Sequence, residues 1–315
     1  MTGKWTADDI PDQHGRTAIV TGANSGLGRI VARELARRGA IVIIASRDHA
    51  KGAEAAREIS AAFRSSTVET AALDLANLGS IRAFAERMQA SNDHIDLLIN
   101  NAGVMAAPHR RTADGFELQF GTNHLGHFAL TGLLLPLLSE APDARVVTVS
   151  SNNHKAGRMQ FGDLQGERRY SRWGAYAQSK LANLLFAFEL DRRLKAGGLR
   201  LISVAAHPGY SATNLQLSGP PAHERIVMRL SNKLFAQPAE AGALPLLYAA
   251  TAPGLQGGSY VGPDGAGELR GHPVLVKATK RARDEESARR LWDVSERLTG
   301  VVYDFTSRGG AAGPG

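Results

Sequence analysis

The chain has 315 residues with 43% hydrophobic content, a size that α/β proteins often carry as one domain with insertions. It has no cysteine, which excludes disulfides, thiolate nucleophiles and cysteine-based metal sites and suits a cytoplasmic setting. The formal charge of +7 is dispersed in short clusters such as Arg37-Arg38, Arg192-Arg193-Lys195 and Arg289-Arg290, near expected helix ends, so solvated faces rather than a nucleic-acid partner are expected.

Residues 1–15 form a polar extension without an apolar signal core. The longest apolar stretch, 128–138, falls far short of the roughly 18 residues that span a bilayer, so no integral membrane segment is expected. A strand over 17–21 runs into the turn Thr21-Gly22-Ala23-Asn24-Ser25-Gly26-Leu27-Gly28, followed by a helix over 27–38 with apolar residues at Leu27, Ile30, Val31 and Leu35. The alternation recurs: strand 41–45 and helix 50–63, strand 68–73 and helix 78–89, strand 95–99 and helix 112–138, strand 145–150 and helix 174–195. A sixth strand is expected over 199–205.

Strands that are apolar throughout are buried on both faces, and intervening helices make right-handed crossovers between parallel strands. The expectation is an α/β, doubly wound parallel sheet, a Rossmann fold, in one domain over 16–306. Ligands of such sheets bind beyond the carboxyl ends of the strands. Two long segments, 154–173 and 209–237, follow strand ends on that side and are expected to cover a substrate; 307–315 reads as a flexible Gly/Ala tail.

The candidate chemistry gathers at the same edge. The glycine-rich turn opens a helix, so its backbone can approach a pyrophosphate, although tight helix–strand packing would demand glycine as well. Gly22, Asn24, Ser25, Gly26, Leu27 and Gly28 are its candidate contacts. Tyr176 and Lys180 are four apart on one helix face, where an ammonium would favour the phenolate. Alone, that pair also suits an exposed amphipathic helix. Its weight comes from company: Ser150-Ser151 ends the fifth strand, Asn100-Asn101-Ala102-Gly103 ends the fourth, and Asn123 sits in the intervening helix, where an amide competes with the backbone.

From Arg16 to Tyr303 the chain resembles the short-chain dehydrogenase/reductase family. The motifs stand in order: TGxxxGxG at Thr21–Gly28, NNAG at Asn100–Gly103, then Asn123, Ser151, YxxxK at Tyr176 and Lys180, and PG at Pro208-Gly209. The segments 123–128, 164–167 and 179–183 look like its retinol-dehydrogenase-like branch in particular. The N-terminal anchor of many retinoid enzymes has no counterpart at 1–15, which argues against a retinoid substrate. The resemblance implies a catalytic set of Tyr176 as general acid/base, Lys180 lowering its pKa and holding a ribose, Ser151 bonding the substrate oxygen, and Asn123 ordering a relay water. It also implies cofactor contacts from Asp74, Leu75, Asn101, Ala102, Gly103, Pro208, Gly209 and Thr213, a lipophilic carbonyl or alcohol substrate, and a homodimer or homotetramer.

Ser46 stands where NAD-preferring members carry an acid, and Arg47 follows it. A guanidinium can pair with a 2′-phosphate, so NADP(H) is the expected cofactor. Asp48 reads as the start of the next helix. No metal is expected; His124 and His127 lack the rest of a zinc motif and read as packing or hydrogen-bonded helix residues. His207 lies near the active edge, and Trp173, Phe161 and Tyr210 could line a pocket or pack a core. A non-catalytic NADP(H) sensor of the same fold is the alternative; a nucleotide-sugar epimerase or dehydratase fits poorly because only about 110 residues follow His207.

Overall fold

A computed structural model of the protein describes residues 4–210 and 237–306. Among these, eight strands make one sheet: β1 (Thr17–Thr21), β2 (Ile41–Ser46), β3 (Val68–Ala72), β4 (Leu97–Asn100), β5 (Arg145–Val149), β6 (Ile202–Ala206), β7 (Tyr260–Pro263) and β8 (Pro273–Leu275). Their order is β3-β2-β1-β4-β5-β6-β7-β8, parallel except for β8, which runs antiparallel to β7. The main helices are α1 (Gly26–Arg37), α2 (His49–Ala62), α3 (Leu78–Ser91), α4 (Gly126–Glu140), α5 (Arg172–Ala196), α6 (Ala239–Thr251) and α7 (Glu285–Thr299).

The sheet is apolar on both faces because successive side chains point to opposite sides. In β1, Ala18 and Val20 join the cluster beneath α1, α2 and α6, while Ile19 joins that beneath α3, α4 and α5; Leu97 and Ile99 divide from Leu98 in β4 the same way. Each fully buried aliphatic side chain contributes about 1.5–3 kcal/mol of hydrophobic driving force. β1 pairs with β2 on one side and β4 on the other, so the direction of winding reverses there and a crevice opens beyond its carboxyl end. No described helix is long and apolar enough to cross a membrane.

Two expectations change. The helix expected over 112–138 begins only at Leu118, makes a π-helical turn over Gly121–Leu125, and becomes regular at Gly126. The Glu117 carboxylate accepts the N–H groups of Gln119 and Phe120, which fixes the late start. Asn123 therefore lies in a widened turn. The other change is β7 and β8, which extend the expected six strands to eight. They are only four and three residues long and include Gly262, Pro263 and Pro273, which hide them from a propensity reading.

Candidate active site

A cleft of about 520 Å³ runs along the carboxyl ends of the strands. At one end lie Ser46, Arg47, Asp74 and Leu75; the middle is formed by Gly22, Asn24, Ser25, Gly26, Leu27, Gly28, Asn101, Ala102 and Gly103; the far end holds Ser151, Tyr176, Lys180, Pro208 and Gly209. Of the expected contacts only Thr213 lies outside the described residues, as does most of segment 209–237.

The glycine turn is shaped by Gly22 and Gly26, with φ of 67° and 56°. A Cβ on Gly28 would come within 2.5 Å of the Asn101 amide nitrogen, so the turn and the end of β4 meet without room for a side chain. Thr21 ties them: its hydroxyl accepts the N–H groups of Asn101 and Ala102, each at 2.9 Å, and Asn101 Nδ2 donates to the Thr21 carbonyl at 2.7 Å. Ser25 precedes α1 without making a side-chain cap, so the first N–H groups of a twelve-residue helix border the cleft. That donor set fits the phosphates of a dinucleotide.

Arg47 is exposed at the cleft rim, and Lys51, one turn into α2, lines the same end. Asp48 caps α2 by accepting the Lys51 N–H at 3.1 Å and pairs with the Lys51 ammonium at 3.1 Å. Ser46 differs from expectation: its hydroxyl is buried and donates to the Asp48 carbonyl at 3.0 Å, so its one proton is already committed.

Tyr176 and Lys180 project from α5 and are both buried, 4% and 3% exposed. Burial pushes the Tyr176 phenol up to about 12, with a Ser151 hydrogen bond pulling the other way, and burial draws the Lys180 ammonium down to about 8. The lowering of the phenol expected from Lys180 is not seen: burial sets the direction, and only the Ser151 hydrogen bond opposes it. Lys180 Nζ donates to the Val149 carbonyl at 3.0 Å, an acceptor it shares with Asn183 Nδ2 at 2.9 Å.

Asn123 sits behind this group rather than in it. Its Oδ1 accepts the Val104 N–H at 2.8 Å, and its Nδ2 donates to the Val104 carbonyl and to Ser179 Oγ, both at 2.9 Å. The side chain of Asn123, the residue expected to order a relay water, thus holds the loop after β4 at Val104 and ties it to α5 through Ser179. His127, one turn on, accounts for the Asn123 carbonyl at 3.0 Å through Nδ1, leaving Nε2 to accept the Thr21 hydroxyl proton at 3.0 Å. His124 packs on Phe120 and bonds Ser295.

Trp173 and Tyr210 border the Tyr176 end of the cleft, but Phe161 lies elsewhere, with the Arg290 guanidinium 4.3 Å from its ring centre. Trp173 is the residue of segment 154–173 that reaches the cleft; much of the remainder lines a separate depression beside α5. Lys51, Val104, Met105 and Leu269 line the cleft without having been singled out from sequence. Lys51 was discoverable from its place one helical turn after Arg47, and Leu269 from the Asp264-Gly265 turn signal between two short apolar runs.

The sequence model of the short chain dehydrogenase family matches residues 16–220. Retinol dehydrogenase 11 of Mus musculus is 46% identical over 291 residues, covering 92% of this chain and 88% of that protein. Polyprenol dehydrogenase of Mus musculus is 43% identical over 312 residues, covering 96% of this chain and 89% of that protein. Among solved structures, an uncharacterized protein from Mycobacterium paratuberculosis superimposes with a TM-score of 0.81 at 49% identity, covering 96% of this chain and all (100%) of that one.

Proposed function

This chain belongs to the short-chain dehydrogenase family, in its retinol-dehydrogenase-like branch, and is thus an oxidoreductase of alcohols and carbonyls that uses a nicotinamide cofactor; on that premise we propose that it is an NADP(H)-dependent enzyme for a lipophilic aldehyde or ketone and the matching alcohol. The observation that carries the reading is a single cleft with cations Arg47 and Lys51 at one end, the open N-terminus of α1 in the middle, and Tyr176, Lys180 and Ser151 at the other.

The dinucleotide, when bound, supplies or takes up the hydride. Tyr176 Oη holds the proton that passes to or from the substrate oxygen, and Ser151 Oγ hydrogen-bonds that oxygen. Lys180 adds positive charge beside the phenol while the Val149 carbonyl fixes its position. Arg47 receives the 2′-phosphate, with Lys51 adding charge from α2. Asn123 acts by holding Val104 in place. The apolar side chains of Trp173, Met105 and Leu269 support a lipophilic substrate, and a chain without cysteine suits the cytoplasm.

The test is a panel of aldehydes, ketones and alcohols run with each dinucleotide. We expect kcat/KM at least about tenfold higher with the phosphorylated form, as loss of one charge-assisted contact of roughly 1.5–3 kcal/mol implies. Equal or better use of NADH would overturn the cofactor reading, and no turnover across the panel by a folded, dinucleotide-binding chain would overturn the enzyme.

A further inference from the structure

The turn that joins β7 to β8 has a strained backbone at the mouth of the cleft. Gly267 and Glu268 take φ of 65° and 58°, and the second of these is unfavourable for a residue with a Cβ. Such a conformation persists only where the surroundings over-determine it, and here they do. The Glu268 carboxylate lies 3.1 Å from Lys155 Nζ and 3.2 Å from His207 Nε2. Asn152, next to Ser151, donates Nδ2 to the carbonyls of Gly267 and Glu268 at 3.1 and 3.0 Å.

The Gly209 N–H sets the tautomer of His207. This histidine is fully buried, and burial lowers its pKa below the usual histidine value, so the ring is neutral near pH 7. Gly209 N–H donates to Nδ1 at 3.3 Å, which leaves the ring proton on Nε2, facing Glu268; the contact is close without being aligned as a regular hydrogen bond. The next residue is held as firmly. The Leu269 carbonyl accepts the Tyr210 N–H at 2.7 Å, and a Cβ on Gly209 would lie 2.4 Å from it. The turn is thereby fastened to the segment after β5, which carries Ser151, and to the segment after β6, which carries Pro208-Gly209.

Between these anchors the Leu269 side chain is left 44% exposed on the wall of the cleft that holds Tyr176. Loops that strain a backbone to present an apolar side chain beside a polar reaction centre have a recognition role available to them. We propose that Leu269 is a specificity-determining residue that contacts the apolar chain of an alcohol or carbonyl substrate, and that Glu268 is the positioning residue that holds it there. This rests on the reading that the Tyr176 end of the cleft takes the substrate.

The experiment measures binding without turnover. The Tyr176→Phe chain, saturated with NADP+, is titrated with straight-chain primary alcohols from butanol to decanol while Trp173 fluorescence is followed, with a Trp173→Phe control to identify that signal. With Tyr176→Phe alone, Kd should tighten as the alcohol lengthens. Adding Leu269→Ala should remove about tenfold of the gain between butanol and decanol, equivalent to about 1.4 kcal/mol. Butanol itself should change by less than about twofold. Adding Glu268→Gln should produce the same length-selective loss and speed hydrogen exchange in 264–271. An unchanged dependence on length in both variants, or an equal loss at every length, overturns the proposal. Turnover is read separately on the unmodified chain: its absence defeats the enzymatic reading, while the chain-length dependence still decides the role of Leu269.

Discussion

Lys180 lies 5.8 Å from the centre of the Tyr176 ring while its ammonium donates to the Val149 carbonyl, so the backbone, not the phenol, takes its hydrogen bond. Burial keeps the Tyr176 phenol neutral near pH 7; in the proposed reaction it would then donate a proton in carbonyl reduction and would have to lose that proton before accepting one from an alcohol. We expect kcat/KM for oxidation to rise with pH and that for reduction to fall above the same apparent pKa. Profiles in both directions check this; a flat oxidation profile between pH 6 and 10 would contradict it.

Lys180 also has a stability consequence. Its folded pKa of about 8 is below the ordinary 10.5, so the charged form is disfavoured in the folded chain. The cost is fully present below pH 8 and is relieved as pH rises from 8 to 10.5, where the unfolded chain binds more protons. Lys180→Met should abolish turnover yet stabilise the protein at pH 7, by on the order of 2 kcal/mol. Val149 keeps its Asn183 partner, so the substitution orphans no acceptor. Urea unfolding at pH 7 and above pH 10.5 should show the gain at the first and not the second.

Replacing Tyr176 with Phe should lower kcat by about 10²–10⁴ while dinucleotide Kd changes little, because the hydroxyl serves proton transfer. Single-turnover rates and calorimetric titration separate the two. Near-normal kcat in a folded variant would remove Tyr176 from its role.

Arg47→Ala should weaken NADPH by at least about tenfold and leave NADH within about twofold, since only the former carries the phosphate. Lys51→Ala should show a smaller loss of the same sign, because Asp48 already pairs with that ammonium. Equal weakening of both dinucleotides would place the guanidinium elsewhere on the ligand.

Asn123→Ala leaves the partly buried backbone polar groups of Val104 without their side-chain partner and should destabilise the fold by about 1–3 kcal/mol. Turnover should fall with it, since Val104 lines the cleft. Chemical denaturation beside steady-state rates tests the link.

Much of this was legible because strands and crossover helices leave strong periodic traces. The apolar runs of β1, β2, β4 and β5 announce burial on both faces, and a Gly-rich turn between strand and helix has few physical alternatives. What escaped depends on tertiary context. β7 and β8 are too short to outweigh their glycine and prolines, so Leu269 and Glu268 were hidden with them. The late helix start that precedes the π turn at Asn123 is set by Glu117, whose capping role needs coordinates to see. The Ser46 hydroxyl looked available only because its bond to the Asp48 carbonyl leaves no sequence signature.

The antiparallel reversal at β8 separates two kinds of change. Insertions, deletions or exchanges at the tip of that hairpin can reshape the mouth of the cleft without moving the register of any parallel strand or the spacing of Tyr176 and Lys180. If Leu269 contacts the substrate as proposed, divergence in substrate range would accumulate in residues 264–272 while the spacing of Tyr176 and Lys180 stays fixed, and chimeras that exchange this hairpin between relatives, with its anchors Asn152 and Lys155 kept, would offer a compact route to new selectivity.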